Sequence, residues 1–180
     1  MKMLHVLAGA IWVCGVSAQA EPAPAPAVVP ETFVLEAPMN VWDVTTADLT
    51  GDGKVEILAL LCDEESYPLK KSIAVFAAVA SGRYAPAPAF CVDVDSSLST
   101  FFLSETNGKT PSEIVAADAE GAVIYAFDGT GFVVTDRPRF SSLFPCGTKE
   151  PRFLGTIAHD LDGDGVDEWI VPIQTGYEIR

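Results

Sequence analysis

Residues Asp160–Glu168 read D-L-D-G-D-G-V-D-E, five carboxylates in nine positions with two glycines among them. Charge of one sign at this density repels itself unless something neutralises it. The pattern has an earlier counterpart at Asp48–Glu56, D-L-T-G-D-G-K-V-E. Both copies hold Asp at positions one and five, Gly at four and six, and Glu at nine. Each is preceded by a short strand-like segment, Val41–Val44 and Leu154–Ile157. Each is followed by an apolar run, Ile57–Leu61 and Trp169–Val171. A degenerate copy lies between them at Glu105–Glu113, E-T-N-G-K-T-P-S-E, followed by Ile114–Ala117. The copies start at residues 48, 105 and 160, steps of 57 and 55. A near-constant step with matching flanks marks an internal repeat.

The rest of each repeat reads as strand. In the first, Ser72–Val79 leads through a turn at Ser81-Gly82-Arg83 to an apolar run from Tyr84 onward. In the second, Ala122–Phe127 and Phe132–Thr135 flank Asp128-Gly129-Thr130-Gly131, a hairpin signal. In the third, a Gln174-Thr175-Gly176 turn leads to a last strand at the chain end. About four short strands per repeat is the content of one propeller blade. No helical periodicity is sustained beyond the first twenty residues. The predicted fold is all-β: a β-propeller-like array of about three four-stranded antiparallel blades, over residues 39–95, 96–150 and 151–180, the last partial. A closed propeller typically needs four to eight blades. An incomplete propeller with two bare apolar end faces is therefore expected, completed by self-association or by a longer chain.

D-L-x-G-D-G-x-x-E followed by an apolar strand, repeated every fifty-odd residues, resembles the FG-GAP/VCBS repeat. That family builds β-propellers, including the one at the head of integrin α subunits. The resemblance covers Val41 to Arg180, and its motif is specific at two of the three copies. It implies a blade with a calcium loop between its first two strands, in a module used for binding or scaffolding.

The residues lead to calcium independently. Ca²⁺ takes six to eight oxygen ligands in flexible geometry. Oxygens at positions one, three and five converge if the chain turns tightly, and glycines at four and six permit that turn. Position seven adds a backbone carbonyl and position nine a carboxylate. The last copy thus offers Asp160, Asp162, Asp164, the Val166 carbonyl and Glu168, with Asp167 pointing away as a solvated charge. The first offers Asp48, Thr50, Asp52, the Lys54 carbonyl and Glu56, weakened by the hydroxyl of Thr50 at position three. In the middle copy Lys109 occupies position five, where its ammonium could pair with Glu105 or Glu113 in place of an ion. An EF-hand or a dockerin is excluded, because position twelve is Ala59 or Val171, inside a strand. The competing interpretation is a metal-free acidic turn whose Asp side chains cap backbone amides.

Composition narrows the partners. The 180 residues carry a net charge of −14, with 25 acidic against 11 basic side chains. Such a surface repels nucleic acid and anionic lipid and suits cations or cationic partners. Residues 1–20 read as an export signal, with Lys2, the apolar run Met3–Val16 and an Ala18-Gln19-Ala20 cleavage site. Residues 21–38 read as a linker, rich in Pro and Ala over Glu21–Pro30. The expected location is secreted, periplasmic or cell-surface, without membrane insertion after cleavage. Cys62, Cys91 and Cys146 then remain. Cys62 and Cys91 are the candidate disulfide pair, and three small buried thiols are the alternative. The mature chain has one histidine, His159, and no GxSxG or CxxC pattern, so neither a catalytic constellation nor a zinc site assembles. Trp42, Trp169, Phe76 and Phe127 fall within strand runs and read as core rather than as a sugar-binding stripe. The predicted function is non-catalytic binding of a protein or glycan. The alternatives are an accessory propeller portion of a secreted hydrolase or lyase, and a structural spacer.

Overall fold

The computed structural model describes residues 34–79, 83–109, 111–148, 150–155 and 157–180. The expected export signal and the Pro/Ala stretch Glu21–Pro30 lie outside the described residues. Asn40–Ala47 (β1), Glu56–Asp63 (β2), Lys70–Phe76 (β3) and Phe90–Val94 (β4) form an antiparallel sheet in the order β1-β2-β3-β4. The inner strands β2 and β3 are buried on both faces, which is why they read as nearly unbroken apolar runs. Thr100–Ser104 (β5), Glu113–Ala117 (β6), Ala122–Phe127 (β7), Phe132–Asp136 (β8) and Arg152–Phe153 (β9) form the second sheet, ordered β8-β7-β6-β5-β9. Ala158–His159 (β10), Glu168–Ile173 (β11) and Gly176–Ile179 (β12) form the third. The fold is all-β, with no helix among the described residues.

The sheets pack face against face in chain order. Leu58, Leu60, Ile73, Val75, Val92 and Val94 of the first sheet meet Phe101, Ile114, Ala116, Val123 and Tyr125 of the second. The other face of the second sheet, with Phe102, Val115, Ala117 and Ile124, meets Trp169 and Val171 of the third. Adjacent strand residues point to opposite faces. Phe101 and Phe102 of β5 therefore enter different cores, and both are buried. Complete burial of a side chain of this size contributes about 1.5–3 kcal/mol.

Several expectations need correction. The second sheet has five strands rather than four, because β9 adds to β5 in parallel; the third, expected to be partial, has three. Leu154, Gly155 and Ile157 lie in no strand; β9 ends at Phe153 and β10 begins at Ala158. The outer face of the first sheet is not bare. Ala59, Leu61, Ala74 and Phe76 there are covered by Leu35, Ala37, Met39 and Tyr84, and Glu36 N–H donates to the Pro86 carbonyl at 2.7 Å. The end of the predicted linker thus belongs to the packed body. The third sheet's outer face is open among the described residues, with Tyr177 74% and Ile179 63% exposed.

The Cys62–Cys91 pairing is also ruled out. Cys62 lies opposite Lys71, and Cys91 opposite Ala74. Lys71 and Ala74 are three apart on β3, so the two thiols face opposite sides of the sheet. Two strand spacings, about 9–10 Å, also separate them, beyond the roughly 7 Å limit of a disulfide. Cys62 is buried, whereas Cys91 and Cys146 are exposed, so the three are not alike as core hydrophobes either.

Candidate metal centre

Each repeat loop connects the first two strands of its sheet in chain order: 48–55 between β1 and β2, 105–112 between β5 and β6, and 160–167 between β10 and β11. The position-nine glutamate opens the second of those strands and reaches back across the loop. Glu56, Glu113 and Glu168 each accept the N–H of position two, from Leu49 at 2.8 Å, Thr106 at 2.8 Å and Leu161 at 2.7 Å. The degenerate middle copy shares this bond with the other two.

The position-one aspartates close the turn itself. Asp48 accepts the N–H of Gly51 at 2.7 Å and of Gly53 at 2.9 Å. Asp160 accepts those of Gly163 at 2.7 Å and Gly165 at 3.1 Å. All four glycines have φ between 74° and 90°, a region side chains rarely adopt. The Asp side chains do cap backbone amides, and a carboxylate so used keeps lone pairs for a further partner.

Carboxylates converge in two of the loops. Oxygens of Asp160, Asp162 and Glu168 lie within 4.8 Å of one another, as do those of Asp48, Asp52 and Glu56. The sets differ: positions one, three and nine in the third loop, and one, five and nine in the first. Asp164 stands outside its set and accepts the Val166 N–H at 2.8 Å. The first set already has a cation. Lys54 Nζ lies 2.7 Å from Asp52 Oδ2. The Lys54 hydrogen bonds hold the Asp52 carboxyl below its usual range, and Asp52 raises the Lys54 pKa. Thr50, at position three, turns its hydroxyl to Glu56 Oε1 at 3.3 Å. Among the described residues the third set meets no ammonium, and its donors are all oxygen, which fits a hard cation.

The middle loop satisfies its acids internally. Glu113 also accepts the Asn107 amide, and Glu105 accepts the Ser112 hydroxyl at 2.8 Å. Lys109 makes no ion pair among the described residues, so it does not take the place of an ion. Glu113 is 3% exposed. Glu113→Leu strands the Thr106 N–H and the Asn107 amide, and is expected to cost about 1–3 kcal/mol in urea unfolding. Glu105→Gln, in a half-buried side chain, should cost less.

The loops also touch in sequence order. A Cβ on Gly51 would come 3.2 Å from Pro111 Cδ, and one on Gly108 would come 3.5 Å from the Gly165 carbonyl. Asp167 is not a free solvated charge. It accepts the Glu105 N–H at 2.7 Å, and its own N–H donates to the Glu105 carbonyl at 2.9 Å. The role of the position-nine glutamate was missed, although the middle copy signals it by keeping Glu113 after losing both aspartates. His159 is exposed opposite Glu168. No protein-family model, curated protein or solved structure matches the chain.

Proposed function

We propose that the chain is an exported, non-catalytic calcium-binding module of the FG-GAP/VCBS kind, with propeller-type blades that present a surface to a protein or glycan. The observation that carries this reading is the recurrence of one acidic loop, between the same two strands of successive stacked sheets, with three carboxylates converging in two copies. Asp160, Asp162 and Glu168 would hold the stronger site, and Asp48, Asp52 and Glu56 a weaker one in competition with Lys54. Bound calcium neutralises the carboxylates and ties the ends of the loop together. The acidic net charge favours cationic partners over nucleic acid. The test is binding to immobilised glycans and to basic extracellular proteins, with calcium and with chelator. Calcium-dependent retention supports the module. Equal retention with chelator means binding that does not depend on calcium, and no retention in either condition argues for a spacer.

The open outer face of the third sheet supports self-association. Leu49, at position two of the first loop, is buried between sheets, whereas the equivalent Leu161 is 53% exposed, and Tyr177 and Ile179 of the third sheet are exposed too. Light scattering of the purified chain should show a mass above that of the monomer, reduced by Tyr177→Ser with Ile179→Ser. A monodisperse monomer contradicts this part of the proposal.

A further inference from the structure

We propose that Cys62 and Cys146 are the chain's disulfide-forming pair, joined across the buried Lys71. Cys62 of β2 is paired with Lys71 of β3, and directly paired residues share a sheet face. That face packs on the second sheet, where Lys71 is 3% exposed. Lys71 Nζ donates to the Ser96 carbonyl at 2.8 Å, the Leu98 carbonyl at 2.8 Å and Ser99 Oγ at 2.9 Å. Three acceptors use all three protons of an ammonium.

Cys146 approaches the same place from the opposite side. Gly147 N–H donates to the Ser97 carbonyl at 2.7 Å, between two of the lysine's acceptors. Thr148 N–H donates to Ser99 Oγ at 3.0 Å, the third acceptor. The segment carrying Cys146 is therefore strapped over the Lys71 head group. Burial pushes the Lys71 pKa down, while Cys62, Cys146 and Asp95 oppose that shift through charge. Among the described residues no carboxylate lies within ion-pairing distance of Lys71 Nζ. The thiolate is the attacking species in disulfide exchange. Cys91 lies on the far face of the sheet and does not compete.

The chemistry balances with a small disulfide such as oxidised glutathione as the oxidant. The exposed Cys146 thiolate attacks one glutathione sulfur, forming a mixed disulfide and releasing one glutathione thiolate. Cys62 thiolate then attacks Cys146 Sγ and releases the second. Two protein thiols are oxidised, one glutathione disulfide is reduced to two thiols, and two protons pass from protein to product.

The test is incubation of the folded full chain with oxidised glutathione, then acid quenching, digestion without reductant and mass mapping. The expected result is a Cys62 peptide joined to a Cys146 peptide. Loss of the joined species is expected in Cys146→Ser, an exposed position, and retention in Cys91→Ser. Cys62 recovered as a thiol, or joined to Cys91, overturns the proposal whatever has happened at Cys146.

Discussion

Calcium is expected to raise the melting temperature of the full chain. Sites in extracellular modules bind at about 10⁻⁴–10⁻³ M. At a calcium concentration about 100 times Kd, a ligand that binds only the folded state stabilises it by about 2.7 kcal/mol. For a chain of this size that is roughly 5–10 °C. Asp162→Asn should remove most of the shift. Asp162 belongs to the converging set, and the one backbone N–H it accepts, from Asp164 at 3.1 Å, leaves the turn to Asp160. Asp52→Asn should remove less, because Lys54 already occupies its carboxylate. Lys54→Met should do the reverse and increase the calcium response of the first loop. A response of the same size in wild type, Asp162→Asn and Lys54→Met would detach calcium from these loops.

Trp169→Ala is expected to cost about 3–5 kcal/mol, the range for removing a large aromatic from a core. Trp169 is 8% exposed where the third sheet meets the second. Its ring stands edge-on to Phe102, with centroids 5.3 Å apart, and lies 6.3 Å from Phe140. Its indole N–H donates to Ser104 Oγ at 2.9 Å in a buried setting. Trp169→Phe keeps an aromatic ring and loses the hydrogen bond, so it should cost clearly less than the alanine. Urea unfolding of the two variants separates the contributions. A cost below about 1 kcal/mol for Trp169→Ala, the level of a surface change, would mean that the third sheet is not docked on the second.

The all-β class was legible because the loops are local. Asp accepting from Gly three and five residues ahead, with glycines at positive φ, is written within six consecutive residues. The buried strands β2 and β6 were legible as apolar runs. What stayed hidden was non-local. β9 is two residues long and pairs in parallel with β5 about fifty residues earlier in the chain, so no local period announces it. The cover on the first sheet comes from Leu35, Ala37 and Met39, which alternate with Glu36, Pro38 and Asn40, a short period-two pattern masked by Pro38 and by the Pro/Ala stretch before it. Asp167 reaches Glu105 across 62 positions, whereas spacing within its own loop indicated only that it pointed outward. At Lys54, position seven was read for its carbonyl, and the side chain's two-residue reach back to Asp52 was overlooked.

Calcium binding by the third loop is read out by calorimetric titration of calcium into the full chain. Saturable binding is expected at about 10⁻⁴–10⁻³ M, with the tighter component lost in Asp162→Asn and kept in Asp52→Asn. The absence of saturable binding up to roughly 10 mM, ten times the weak end of that range, or an isotherm unchanged by Asp162→Asn, would contradict it.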